Sequence, residues 1–314
     1  MRNILVITHL EQDEQLELVR SKTRRGQCNF LTLSTNSGKK LDFGLQINGS
    51  VANVVIDGEI LVPDAIWFAT HPRTDSLYSQ EFRFPGEHRS AVAQLIIDLH
   101  YMFRSGVSWF PSSLDLVGQA DSKPFLLREA LYCGLKTPQY TLNANLRTKK
   151  KITIEKLYKK KLGFPSVISF DRESNQEVIV TTTNKLGDIA AGREVWQWQS
   201  PIKSLAHIRC CVVGTKIWAS MWRRRSVGKI YDYRSQVKDD AWEPYILPED
   251  VEMSLTKLMG RLGLKIACPE FLVEENGSHV FIDMNPCGDW SGFFDDASNH
   301  EIAQSIYDLL QFEY

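Results

Sequence analysis

Asp283 and Asn285 stand two residues apart in Val280-Phe281-Ile282-Asp283-Met284-Asn285-Pro286, where three strand formers precede the first of them. Alternate residues of a strand share a face, so the two side chains project together as the strand ends. Upstream, Pro269-Glu270-Phe271-Leu272-Val273 reads as a second strand, and Asn276-Gly277 between the two is a tight-turn signal. A hairpin built this way brings Glu270 beside Asp283 and Asn285. Carboxylate and amide oxygens are the donors Mg2+ prefers, and that ion completes its octahedron with water and nucleotide phosphates. The three residues therefore suggest a site for Mg2+ and a nucleotide. An exposed hairpin with polar ends is the alternative reading.

Cations stand at spacings that suit the same chemistry. Lys123 follows Ser122, which reads as an N-cap, and precedes Pro124, which suits a first turn, while Gly134 fits the C′ stop. Lys123 thus lies at the positive end of a helix, where the macrodipole disfavours it unless it serves an anion; an exposed lysine at slight cost is the alternative. A strand over 207–213 turns at Gly214-Thr215 into a second over 216–222, which places His207 and Arg209 on one face. Arg223, Arg224, Arg225 and Arg234 follow. A guanidinium fork matches phosphate or carboxylate oxygens, so these arginines form an anion-binding set or, alternatively, a charged loop.

The elements that must hold these residues are those of an α/β protein. A buried-type strand over 3–9 leads to a helix over 12–20, and strands follow at 51–56, before Asp57-Gly58, and at 65–69. A helix over 87–104 carries Val92, Leu95, Ile96, Leu99 and Phe103 on one stripe and stops at Gly106. His71, Arg73 and Arg83 read as loop residues. Two lysine triplets, Lys149 to Lys151 and Lys159 to Lys161, flank a short helix with Ile154, Leu157 and Tyr158 inward; they form a solvated face or, alternatively, attract an acidic peptide. Runs over 164–170 and 177–183 make an antiparallel pair. Trp196 and Trp198 are core residues or the wall of an adenine pocket. Helices over 248–262 and 301–310 complete the chain, the second burying Ile302, Ile306, Leu309 and Leu310.

Composition narrows the classes. At 314 residues the chain exceeds a usual single core. A net charge of -1 gives no bulk attraction to nucleic acid or to an anionic membrane. The cysteines at 28, 133, 210, 211, 268 and 287 include no C-x-x-C pair, and the adjacent two point to opposite strand faces, so a reducing compartment is expected over a disulfide framework. The opening run reads as a strand and not a signal peptide, and no stretch approaches the roughly 20 apolar residues of a membrane span.

Over nearly its whole length the chain resembles the ATP-grasp ligases, and most closely the microviridin-type or graspetide synthetases that crosslink ribosomally made peptides. Lys123 precedes Ala130-Leu131-Tyr132-Cys133-Gly134-Leu135-Lys136-Thr137-Pro138-Gln139-Tyr140-Thr141-Leu142, which looks like that family's "A-x-x-x-G-L-x-x-P-x-T-L". Its hinge "F-Q-x-x-I-x-K" and following "R-V-T-V-V-G" look like Trp198-Gln199 with Ser200, Ile202 and Lys203, then Arg209-Cys210-Cys211-Val212-Val213-Gly214. Its "D-W-R" resembles Asp232-Tyr233-Arg234, and its "W-x-P-x-x-L-P" resembles Trp242-Glu243-Pro244-Tyr245-Ile246-Leu247-Pro248. Its "F-L-E-I-N-P-N-G-Q-W" is similar to Phe281-Ile282-Asp283-Met284-Asn285-Pro286-Cys287-Gly288-Asp289-Trp290. The chain departs from the pattern in three places. Ser169 stands where a strand lysine usually meets the nucleotide, and Lys161, Arg172 or Lys185 are candidate substitutes. The metal acids run Glu270 then Asp283, the reverse of the usual order, and His207 replaces an acidic residue near Arg209.

The resemblance implies an ATP-grasp α/β fold with an N-terminal α/β domain (1–112), a central lid subdomain (113–195) and a C-terminal metal- and nucleotide-binding domain (196–314). It implies ATP and Mg2+ as cofactors, with Lys123, Gln199, Ser200, Ile202, Lys203 and Ser169 at the nucleotide, Glu270, Asp283 and Asn285 at the metal, and Arg209 and Arg234 in catalysis. The implied activity is a cytoplasmic, ADP-forming carboxylate–amine or carboxylate–alcohol ligase. It activates a side-chain carboxylate of a precursor peptide as an acylphosphate and joins it to a Lys amine or a Ser/Thr hydroxyl, closing an amide or ester macrocycle. A precursor peptide with a leader segment is the implied partner, nucleic acid and membrane are not, and a homodimer is compatible. A ligase for an amino acid or small metabolite, and an impaired nucleotide-binding scaffold, are the alternatives.

Overall fold

The computed structural model describes residues 1–8, 13–24, 27–34, 43–48, 51–56, 58–70, 86–143, 157–161, 167–171, 176–180, 182–184, 196–199, 202–224 and 242–312, with the backbone alone at 51, 86–93 and 141–199. The N-terminal layer runs β1 (Arg2–Thr8), α1 (Glu14–Arg20) and β2 (Cys28–Ser34), then three short strands, β3 (Phe43–Asn48), β4 (Val51–Ile56) and β5 (Glu59–Leu61). It returns through β6 (Ala65–Phe68), α2 (Gly86–Met102) and β7 (Ser108–Phe110). β1, β2, β6 and β7 form a parallel sheet in the order β2-β1-β6-β7, while β3, β4 and β5 pair antiparallel. The unbroken apolar run Ile4 to Ile7 suits β1 to a central parallel position, because both its faces are covered: Ile4 and Val6 pack toward one core, Leu5 and Ile7 toward another.

Next come α3 (Leu114–Ala120) and α4 (Lys123–Tyr132), followed by short strands: β8 (Tyr140–Asn143), β9 (Leu157–Lys161), β10 (Val167–Asp171), β11 (Gln176–Val180), β12 (Thr182–Asn184) and β13 (Trp196–Gln199). β10 and β11 pair antiparallel as the sequence predicts. β8, β9, β12 and β13 form a four-stranded sheet in the order β12-β9-β13-β8, so β13 is hydrogen-bonded to the segment that precedes it. The short helix expected around Leu157 and Tyr158 is absent there. Leu157 to Lys161 are a strand, paired with β13 on one side and β12 on the other, and sheet pairing overrides the local helical spacing.

The last part is a five-stranded antiparallel sheet with two long helices: β14 (Ser204–Val213), β15 (Lys216–Arg223), β16 (Glu243–Tyr245), α5 (Glu249–Leu262), β17 (Ile266–Glu274), β18 (His279–Asn285) and α6 (Asp296–Phe312). Its order is β16-β15-β14-β17-β18. One face carries Ile208, Cys210, Val212, Phe271, Phe281 and Met284, all buried against α4 and α5. The other carries Cys211, Val213, Ile266 and Cys268 against α6 and the β1 sheet, so Cys210 and Cys211 do face opposite ways. Phe271 and Phe281 are fully buried, ring edge to ring face at 5.6 Å. Burial of each stabilises by about 1.5–3 kcal/mol, and together they fix the hairpin from beneath.

The ends of α4 and α5 follow the sequence, whereas α6 begins at Asp296, ahead of the expected 301. Pro248 is the N-cap of α5 and Gly263 its left-handed C-cap. Ser122 occupies the N-cap of α4 but its hydroxyl makes no capping bond, and Pro124 lies in the first turn. In α6, Ile302, Ile306 and Leu310 are buried whereas Leu309 is only partly so. Among the described residues no helix is long and apolar enough to cross a membrane.

Candidate functional site

The β17–β18 hairpin turns at Asn276-Gly277 as expected. Gly277 takes a positive φ of 81°, and the Asn276 carboxamide oxygen accepts from the Ser278 N–H at 3.0 Å. Glu270 then lies directly opposite Asp283 in the ladder, with Asn285 two residues on, so the three oxygen donors share one face. The face is shared with Cys211 and Cys268. Along the sheet it passes from an apolar half under α6 to a polar half occupied by His207, Arg209, Glu270, Asp283 and Asn285.

A bulge makes this division possible. Glu270 pairs with Asp283 but the next residue, Phe271, pairs with Phe281, leaving Ile282 without a partner in the ladder. The extra residue turns Phe281 into the core while Asp283 stays on the polar face. Lys123, at the start of α4, donates to the carbonyl of that unpaired Ile282 and forms an ion pair with Asp283 Oδ1 at 2.9 Å. The anion served by the lysine is thus the site's own carboxylate. Asp283 is half exposed, so the pair adds at most about 1 kcal/mol, and its main consequence is position.

Glu270 is held on both oxygens from β14. Arg209 Nη1 pairs with Oε1 at 3.1 Å and His207 Nε2 lies 3.0 Å from Oε2. The Arg209 guanidinium stacks on Phe293, with Cζ 3.9 Å from the ring centre, and its Nη2 reaches toward the Asp289 carbonyl at 3.5 Å. Trp242 packs edge-to-face on Phe293 at 5.1 Å and on His207 at 5.9 Å. Sequence reasoning did not single out Phe293 or Trp242 for this role. Trp242 carried a signal, its place in the "W-x-P" run, and Phe293 carried none.

The turn after β18 is pinned close to the sheet. A Cβ added at Gly288 would fall 2.6 Å from Cys268 Cβ and 3.2 Å from Asn285 Cβ, so only glycine fits without a shift. Asn285 Oδ1 accepts from the Cys287 N–H at 3.1 Å, and the Trp290 N–H donates to Gln15 at 3.1 Å. All six cysteines are free. Burial pushes the thiols of Cys210, Cys211 and Cys287 well up, so they stay protonated and are poor nucleophiles.

The structure therefore brings together Glu270, Asp283, Asn285, Lys123 and Arg209. Ile202 is buried in the run that enters β14, and Lys203 beside it is exposed. Gln199 ends β13 opposite Tyr140 and Tyr158, and Ser169 in β10 pairs with Val178 in β11; the side chains of Gln199 and Ser169 lie outside the described part. Ser200, Arg225, Arg234, His71, Arg73, Arg83 and Lys149 to Lys151 lie outside the described residues. Arg223 is exposed and faces Glu243 at 3.7 Å.

Among the described residues no three His, Cys, Asp or Glu side chains gather as a metal cluster, and the oxygen set reaches three only through the Asn285 amide. That set suits Mg2+, which is held by one or two carboxylates and takes its remaining ligands from water and phosphate. Asn285 Oδ1 spends one lone pair on Cys287 and keeps a second. Lys123 and Arg209 stand at the rim of that set, each already paired with one of its carboxylates.

No family model matches the chain, and no curated relative matches it. Solved structures do. The macrocyclase MdnB from Microcystis aeruginosa is 20% identical over 99% of this chain and 100% of that one, with a TM-score of 0.74. A RiPP-associated ATP-grasp ligase from Chryseobacterium gregarium, in complex with ADP and a leader and core peptide, is 18% identical over 99% and 96%, TM-score 0.74. The VanG D-Ala:D-Ser ligase from Enterococcus faecalis is 12% identical over 98% of both chains, TM-score 0.63. This chain has the ATP-grasp fold.

Proposed function

We propose that this protein is an ATP-dependent, ADP-forming ligase that activates a side-chain carboxylate of a ribosomally made peptide and joins it to an amine or hydroxyl of the same peptide. The observation that carries the reading is the convergence of Glu270, Asp283 and Asn285 on one sheet face, flanked by Lys123 and Arg209, in a chain with the ATP-grasp fold. The peptide substrate is supported by the full-length likeness to a ligase solved with ADP and a leader and core peptide. Free cysteines and a balanced charge of -1 are compatible with a cytoplasmic enzyme.

In this reading a carboxylate oxygen of the peptide attacks the γ-phosphorus of ATP, the bond to the bridging oxygen breaks, and ADP leaves. An amine or hydroxyl then attacks the acyl carbon, and phosphate leaves with the C–O electron pair while the nucleophile's proton is lost. Each bond formed removes one water from the peptide. Glu270, Asp283 and Asn285 would hold Mg2+, which when bound neutralises phosphate charge. Lys123 is set by the Ile282 carbonyl and Asp283 so that its ammonium sits at the rim of the metal face. Arg209, rigid through its stack on Phe293, presents a fixed guanidinium where two anions must be brought together, and Arg234 is assigned the same task. Gln199, Ser200, Ile202, Lys203 and Ser169 are assigned to the nucleotide. No covalent enzyme intermediate is needed, in keeping with cysteines buried as thiols.

Trapping the activated carboxylate tests this. With Mg-ATP, a carboxylate-bearing candidate peptide and hydroxylamine, the protein should release ADP and leave a hydroxamate on the peptide. Hydroxamate on free amino acids alone would transfer the activity to a small metabolite. Undetectable nucleotide binding at millimolar ATP would instead leave a scaffold without ligase activity.

A further inference from the structure

We propose that His207 is a positioning residue for Glu270, fixing the plane of its carboxylate, and that Trp242 holds His207 in place. The inference rests on the reading of Glu270 as a metal ligand. A carboxylate tied at one oxygen still rotates about its terminal bond, whereas one tied at both does not. Arg209, directly opposite Glu270 in the ladder, takes Oε1, and His207, two residues earlier on β14, takes Oε2. A carboxylate offers only lone pairs, so the imidazole Nε2–H donates.

His207 has no room to leave. The residue is 4% exposed, and its ring stands at 82° to Trp242, which packs on Phe293, which in turn lies under Arg209. Glu270, His207, Trp242, Phe293 and Arg209 thus close a ring of contacts around one carboxylate. Its outcome is the direction of the lone pairs left for an ion beside Asp283. An acidic side chain at position 207 would add a charge that repels Glu270 at this separation. Imidazole attracts it, so in this chain the position orients an existing ligand and does not supply another. Removing a group that orients a metal-binding side chain weakens the metal by about 10–100-fold.

The test compares His207→Gln with His207→Asn. The Gln amide nitrogen reaches as far as the imidazole Nε2, whereas the Asn nitrogen stops near the position of Nδ1. Mn2+ binding to the ADP-loaded protein is read by the signal of free Mn2+, with ADP affinity in the absence of metal and melting measured alongside. His207→Asn should weaken Mn2+ by roughly tenfold or more, His207→Gln should stay within a few-fold of wild type, and ADP affinity without metal should not move. His207→Asn combined with Glu270→Gln should bind Mn2+ no worse than Glu270→Gln alone. Equal affinity in the Asn and Gln variants, whether both lose the metal or both keep it, overturns the proposal. If Glu270→Gln itself binds Mn2+ as wild type does, the assignment of Glu270 to the metal fails instead.

Discussion

Glu270 and Asp283 face each other across the β17–β18 ladder, and each already carries its own cation, Arg209 on the first and Lys123 on the second. The two pairs differ in burial. Glu270 and Arg209 are largely shielded, while Asp283 is half exposed, so the first pair resists water and salt more than the second. With two anions and two cations, these four side chains balance in charge.

Asp283→Asn removes the charge of a carboxylate proposed to hold the metal but leaves the Ile282 carbonyl to hold Lys123. It should abolish Mg-dependent ATP turnover while thermal melting shifts little. Full turnover in this variant would remove Asp283 from the site.

Arg209→Lys replaces a planar fork with a point charge, which can neither stack on Phe293 nor keep the same grip on Glu270. Loss of a charge-assisted contact of about 1.5–3 kcal/mol predicts a fall in kcat of roughly ten- to a hundredfold, with a much smaller change in ATP affinity. Steady-state kinetics and calorimetry separate the two quantities. Equal loss of both would mean that Arg209 serves ground-state nucleotide binding only.

Gly288→Ala forces a methyl against Cys268, where the ideal Cβ position lies 2.6 Å from another Cβ and no flexible side-chain end can give way. A loss of about 1–3 kcal/mol in stability is expected, read as a lower urea midpoint. An unchanged midpoint would show that the turn relaxes freely.

Glu129 joins α4 to α5 through Arg261, whose Nε lies 2.8 Å from Oε2, and the Arg261 bond together with a weaker one from Arg128 holds the Glu129 carboxyl below its usual range. A depressed carboxyl contributes stability above its unfolded value of about 4.3 and loses it as pH falls through the folded value. Glu129→Gln should therefore unfold at lower urea than wild type near pH 7, and the gap should close in acid below about pH 4. A gap that stays constant across that range would assign the effect to packing.

The hairpin was legible because its signals are local: Asn276-Gly277 dictates the turn, and strand alternation puts Asp283 and Asn285 on one face, although Glu270 comes opposite Asp283 only through the bulge. Lys123 was legible as a lysine in the wrong place on a helix. The Ile282 bulge was not, since one unpaired residue leaves no trace in an apolar run and is set by packing Phe281 beneath the sheet. Nor could spacing show that Phe293, 84 positions from Arg209, lies under its guanidinium. Leu157 to Lys161 misled in the opposite direction, because helical spacing over a few residues yields to pairing with β13 and β12.

The most direct measurement of the central claim is the intact mass of a candidate precursor peptide after incubation with the protein and Mg-ATP, followed alongside ADP release. The expected result is the loss of one water for each bond formed, one ADP for each water lost, and neither change with Asp283→Asn. ATP turnover with a bound peptide whose mass stays unchanged would contradict it.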